Sequence, residues 1–284
     1  MSTCFYHDDL DGKLSAAIVY KYDQNCNLIS CNHTSKPRID LIQKDERIYI
    51  VDFSFKPEVM EEVLKVTEDV IWIDHHKTAL DYKYSREIKG LRIIEPNCLA
   101  GCELTWIYLY PNVPRPPAVL YVGDVDKWAW QYKEITDYFI EGLKVHITTA
   151  GSETWEILLK DNQDSIKLTD EILMKGRLFI DYRNHLCENY YVRHGYETMF
   201  EGYKCCACGF TAYGSKLFGD RADKYDMMIG HEWIGDKWVV SLFSTKNIDV
   251  SVIAKKYGGG GHLSAAGFSC ADLPFRKLIG EYNP

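Results

Sequence analysis

Four short segments in the first half of the chain are continuously apolar, and most lead into a stretch of helical periodicity. "STCFY" precedes "GKLSAAIVYKYD", where Leu14, Ala17, Ile18 and Tyr22 recur at helical spacing. "RIYIVDF" is β-branched and unbroken, and "KPEVMEEVLKVTED" after it is amphipathic with Pro57 at its start. "VIWID" predicts a third strand, "CLAGCELTWIYLY" a mostly apolar helix, and "PPAVLYVGD" a fourth strand after a proline-rich loop. Strands without polar alternation, separated by helices, predict a parallel sheet covered on both faces.

From about Asp124 to Tyr191 the pattern is mainly helical, most clearly in "DSIKLTDEILMKGRLFIDYRNHLCENYY". After about Val192 the apolar runs shorten, as in "KWVVSLFS", turn residues multiply, and four glycines run from Gly258 to Gly261. The expected architecture is α/β: a parallel-sheet domain with a helical connection over residues 1–191, then a smaller α+β domain over 192–284. No internal repeat or low-complexity tract interrupts it.

Composition narrows the class. Hydrophobic residues make up 46% and charged residues 26% of the 284, the balance of a folded globular protein. No apolar run reaches the roughly 18 residues of a membrane span. "MSTCFYHDDLDG" lacks the basic start and long apolar core of a signal peptide, so a cytoplasmic protein is expected, outside any membrane. The 10 cysteines are then expected to be reduced thiols. Cys205 and Cys208 in "KCCACGF" have half-zinc-site spacing, but no second pair completes four ligands, and a buried strand is the better reading. A net charge of -8 repels long polyanions and favours a short phosphorylated ligand.

The informative feature is where the acids fall. Each predicted strand ends in them: "CFYHDDLDG", "YIVDFS", "WIDHHK" and "YVGDVDKW". Open parallel sheets bind ligands beyond the carboxyl ends of their strands. His7, Asp9, Asp11, Asp52, Asp74, His75, His76 and Asp124 would therefore meet at one edge, where uncompensated carboxylates repel. Divalent cations are the natural compensation, and oxygen with some imidazole suits manganese or magnesium. The plainer alternative is that Asp11 and Asp52 cap the following helices and His76 is a core histidine.

Those four stretches, in that order, resemble the four motifs of the DHH phosphoesterases, and "GGGGHLSAAGF" resembles the glycine-rich motif of the DHH-associated C-terminal domain. The resemblance spans residues 7 to 268. It implies a DHH catalytic domain followed by a substrate-binding domain, with the site in the cleft between them. It also implies two manganese ions, with magnesium as the alternative: one on His7, Asp9 and Asp52, the other on Asp11, Asp52, His75 and Asp124. Asp74 would orient its neighbours and His76 would face the scissile phosphate. Asp126 is the second candidate in the fourth motif; Asp124 is preferred because it directly follows the apolar run, with Asp126 supporting the loop with Trp128, and with Trp128 and Trp130 as packing residues.

Gly259, Gly260, Gly261 and His262 would bind the substrate through close backbone approach and the start of a helix near "HLSAAGF". A departure is Phe243 in "SLFS", where many relatives carry arginine. The expected activity is hydrolysis of short oligonucleotides to mononucleotides, in the manner of nano-RNases or RecJ-like exonucleases. Alternatives are a cyclic or linear dinucleotide phosphodiesterase, a nucleoside bisphosphate phosphatase, or a catalytically silent nucleotide-binding protein. Oligomeric state is left open, a dimer included.

Overall fold

Strand β1 (Ser2–His7) of the computed structural model is buried as far as Tyr6, as a central strand must be. The structure describes residues 2–32, 37–79, 81–92 and 98–275. The chain divides into two units, residues 1–179 and 180–284.

In the first unit, β1 is followed by α1 (Leu10–Tyr22), β2 (Cys26–Cys31), β3 (Arg47–Val51), α2 (Pro57–Val66) and β4 (Val70–Ile73). The sheet order is β2-β1-β3-β4 and every neighbouring pair is parallel. Helix α2 packs through Met60, Val63 and Leu64 on the face carrying Phe5, Ile48, Ile50 and Trp72. Helix α1 packs through Ala16 and Val19 on the opposite face, with Cys4, Tyr6, Tyr49 and Val51. The two crossovers thus lie on opposite faces, and the order reverses between β1 and β3. A crevice opens at such a reversal, beyond the carboxyl ends of the strands.

Two elements differ from the sequence expectation. Strand β2 was not anticipated: it is a sheet edge, only Cys26 and Cys31 in it are buried, and the polar residues between them hide the pattern. The segment around "PPAVLYVGD" is not a fourth strand but helix α4 (Pro117–Asp126), with Pro117 in its first turn and Ala118, Val119 and Val122 buried. A continuous apolar run does not by itself distinguish a buried strand from a buried helix. Helix α3 (Gly101–Leu109) precedes it, and α5 (Glu134–Leu143), α6 (Glu153–Leu158) and α7 (Gln163–His194) complete the helical region. These helices share an apolar cluster that includes Leu14, Trp106, Val119, Phe139, Trp155 and Ile172.

The units divide inside α7, a single helix of 32 residues. The change in pattern after residue 191 marks the start of the second unit's strands: β5 (Tyr196–Phe200), β6 (Tyr203–Cys208), β7 (Met227–Trp233) and β8 (Trp238–Phe243). Helix α8 (Val250–Lys256), β9 (Gly260–His262) and β10 (Ala265–Cys270) follow. The six strands form a mixed sheet in the order β5-β6-β7-β8-β10-β9, with β6 and β7 its parallel pair.

"KCCACGF" is a buried strand. Cys205 and Ala207 face the core shared with α8, while Cys206 and Cys208 face Cys187, Tyr191 and Phe218. Period-two alternation sends the cysteines to opposite faces, so they cannot converge on one ion. Burial pushes the Cys205 thiol up to about 12 and Cys206 and Cys208 to about 11. All ten cysteines are free. Among the described residues, no helix is long and apolar enough to cross a membrane.

Candidate active site

Seven of the eight acids and histidines expected at the sheet edge come together there, and an eighth residue replaces Asp124. His7 ends β1, and its Nδ1 lies 2.6 Å from Asp9 Oδ2. Asp9 is also the N-cap of α1, accepting from Gly12 N–H at 2.9 Å. The capping alternative posed for Asp11 thus falls on Asp9. Burial works to raise the Asp9 carboxyl, but His7 and the Gly12 N–H outweigh it and hold it at about 2. Donating to the Asp9 carboxylate in turn raises His7.

Asp11 sits buried in the first turn of α1 and accepts the N–H groups of Gly101 at 2.7 Å and Cys102 at 2.9 Å. Helix α3 therefore points its N-terminus at the cluster. A glycine is needed there, because a Cβ on residue 101 would stand 2.6 Å from Asp52 Cβ and 2.9 Å from Asp11 Oδ2.

Asp52 follows β3 with φ at +50°, a left-handed conformation that an Asp tolerates better than most residues. It is 1% exposed, and neither carboxylate oxygen accepts an aligned hydrogen bond among the described residues. Its nearest basic neighbour is His75 Nε2 at 3.1 Å. Burial, then Asp11, Asp9 and Asp126, drive the Asp52 carboxyl well above the carboxylate range.

The consecutive residues Asp74, His75 and His76 diverge at the end of β4. Asp74 takes the hydroxyl of Ser54 on Oδ2, and its Oδ1 is 2.7 Å from His76 Nδ1. Ser54 in turn accepts from Trp72 Nε1 at 3.1 Å. Asp74 thus fixes the His76 ring and raises its pKa. Burial lowers that of His75, keeping its imidazole neutral. A cavity of about 310 Å³ opens beside His76 and Asp74, walled by Trp72, Tyr84 and Arg92.

Asp124 does not join the group. It is buried in α4 and accepts Gln131 N–H at 2.7 Å, Tyr132 N–H at 3.2 Å and the Thr136 hydroxyl. It holds the loop between α4 and α5. Asp126 reaches the cluster instead, with its carboxylate 3.5 Å from His75 Nε2. Burial, then Asp11 and Asp9, push the Asp126 carboxyl up to about 7.

Glu103 was not singled out from the sequence. It is 3% exposed on α3 and ion-paired to Arg115 and to Lys127 Nζ at 2.5 Å, tying the helix that holds Asp11 to the end of α4 that carries Asp126. A lone acid in the apolar run "CLAGCELTWIYLY" was the available signal.

Among the described residues, three groups have the geometry to hold a metal ion: His7, Asp9 and Asp52; Asp11, His75 and Asp126; and Asp52, His75 and His76. In each, the donor atoms lie within 4.8 Å of one another. The buried Asp52 oxygens without aligned hydrogen bonds, shared between two groups, fit divalent cations. Carboxylates this close need compensation, and no described Lys or Arg pairs with Asp52.

Gly259, Gly260, Gly261 and His262 lie in the second unit. No helix begins there; β9 and β10 form an antiparallel hairpin in which His262 pairs with Ala265. A Cβ on Gly259 would meet Gly267 O at 2.1 Å, and Gly261 combines φ of +147° with a Cβ position 2.5 Å from Ala266 Cα. Gly260 faces open space, and His262 is exposed. Phe243 packs with the cluster around Cys206, Cys208 and Phe218. Trp128, expected to be a packing residue, is 74% exposed.

Residues 3–120 match the DHH family, N-terminal domain, a span that takes in every clustered residue except Asp126. The chain is 28% identical to an uncharacterized protein of Acanthamoeba polyphaga mimivirus, over 83% of this chain and 56% of that protein. It is 24% identical to the oligoribonuclease NrnB of Bacillus subtilis, over 98% of this chain and 75% of that one. It thus spans little more than half the length of the viral relative. The structure of the pGpG-specific phosphodiesterase PggH from Vibrio cholerae shares the fold, with a TM-score of 0.56 at 13% identity over 95% of this chain and 94% of that one.

Proposed function

We propose that this relative of the DHH-superfamily phosphoesterases is a manganese-dependent phosphodiesterase that hydrolyses short oligonucleotides to mononucleotides. The observation that carries the reading is Asp52: a buried carboxylate without an aligned hydrogen bond, shared by two groups of donors at the carboxyl edge of a parallel sheet. His7 and Asp9 complete one of these groups and His75 and His76 the other, while Asp11 and Asp126 join His75 in a third. When bound, two divalent cations would offset the carboxylates, polarise the phosphoryl group and make an attacking water acidic.

The chain's own residues supply the rest. His75 stays neutral and keeps a lone pair to give. His76 is raised by Asp74, with Nδ1 committed to that carboxylate. Its Nε2 is left to stabilise the charged phosphate oxygens and to pass a proton to the departing ribose oxygen. Asp74 holds the tautomer, and the Asp11 carboxylate is fixed by the two N–H groups of α3. In the second unit, the open face of Gly260 and the exposed His262 are suited to a terminal nucleotide group.

The overall charge of -8 supports short substrates over long strands, as does the likeness to a bacterial oligoribonuclease over nearly the whole chain. A linear dinucleotide is the shortest member of the same class. The test is a manganese-dependent digest of 5′-labelled RNA and DNA as dimers, pentamers and 24-mers, with cyclic dinucleotides alongside. Fastest turnover of the shortest linear substrates is expected. Preference for 24-mers, or turnover of cyclic dinucleotides alone, would overturn the assignment.

A further inference from the structure

Trp128 is the most exposed large apolar side chain among the described residues, at 74%. Its backbone lies at φ of +55°, a region that bulky L-residues rarely enter. Trp130 at +51° and Lys133 at +54° repeat the feature within the same short loop.

The loop is held in that form from several directions. Asp124 accepts from Gln131 N–H, Tyr132 N–H and Thr136, Ala129 N–H donates to Asp124 O at 3.0 Å, and Trp128 N–H donates to Val125 O at 3.0 Å. Strain that the surroundings over-determine in this way gathers at functional sites. The Trp130 ring stands 5.1 Å from that of Trp128 at 76°, bracing the indole while leaving most of it in solvent. On the other side, the chain is pinned within two residues: Lys127 to the buried Glu103, and Asp126 beside His75. A core role does not account for an indole built out into water, next to a group suited to metal and phosphate.

We propose that Trp128 is a stacking platform for a nucleobase flanking the phosphodiester bond that is cleaved. This rests on the phosphodiesterase reading above. Any base presents a π-face, so the platform selects for the presence of a base and tolerates its identity.

The test compares two 5′-labelled dinucleotides on the full chain with manganese: ApA and the same backbone bearing abasic residues. Wild type should favour ApA by about tenfold or more in kcat/KM, and Trp128→Ala should bring that ratio to roughly threefold or less, with Trp128→Phe keeping most of it. In a titration of AMP into the manganese-loaded protein, Trp128→Ala should weaken binding by about fivefold or more, and Trp128→Phe should restore it. An unchanged ratio and unchanged AMP affinity in Trp128→Ala would overturn the proposal. Wild type that cleaves neither dinucleotide would instead count against the phosphodiesterase reading, while the AMP titration would still decide the role of Trp128.

Discussion

Replacing Asp52 by Asn keeps the side chain's shape and removes its charge, and it should stabilise the metal-free protein while destroying its response to metal. Asp52 is 1% exposed, and its donor oxygen lies within 4.8 Å of the Asp9 donor. At that distance two unit charges repel by about 3.5 kcal/mol with an effective dielectric of about 20. Protonation of one partner absorbs part of this, leaving a net gain of about 1–3 kcal/mol for the variant. In a chain of this length that raises Tm by roughly 2–5 °C. The assay is a pair of thermal melts, in EDTA and in excess manganese. Wild type should gain about 2.7 kcal/mol per ion, about 5.4 kcal/mol for two, when manganese stands at a hundred times each Kd. The variant, lacking the shared donor, should gain little, so the order of stabilities reverses between the two buffers. A variant that melts lower than wild type in EDTA, or that keeps the full manganese shift, would refute the reasoning.

Asp126→Asn should weaken manganese binding in calorimetry by tenfold or more, whereas Asp124→Asn should act on stability, costing about 2–3 kcal/mol through the loop it holds; the opposite pairing would return Asp124 to the metal site. The Asp126 carboxyl is raised to about 7, so in metal-free protein it is protonated when folded and ionised when unfolded between about pH 4 and 7. Stability in EDTA should therefore fall as pH rises through that window, with the buried Asp52 contributing in the same direction, and Asp126→Asn should make the slope shallower; denaturant melts across the range check this. Gly260→Ala should leave Tm within a degree or two of wild type, because its Cβ meets nothing within 4 Å, yet weaken nucleotide binding. Gly259→Ala, with its Cβ 2.1 Å from Gly267 O, should cost about 1–3 kcal/mol in a thermal melt, and equal melting of the two would remove the distinction.

What the sequence made legible depended on whether a residue's role was set by local pattern or by partners distant in the chain. β1, β3 and β4 are unbroken apolar runs, so their acidic ends could be placed on one edge before any coordinates. The edge strand β2 carries polar residues on its open sides and left no such trace. The choice between Asp124 and Asp126 shows the deeper limit. On a strand, residues two apart share a face, and both acids would have reached the metal site. On the helix that "PAVLYVGDVD" forms, they are turned about 200° from one another. One goes beneath the loop it holds, and the other toward His75. The period of the element therefore decides which acid faces the candidate metal group and which braces the loop, and a uniformly apolar run conceals that period. The paired prolines before the run were the local evidence for a helix start. The same helix ends at the loop that lifts Trp128 into solvent, so reading the run as a strand affected both the placing of the two acids and that of the indole. Asp52 is the converse case. Its place at the sheet edge followed from its position after a strand, but its crowding by Asp9, Asp11 and Asp126, which come from other elements, did not. That convergence costs the fold stability, which divalent cations at the cluster would offset.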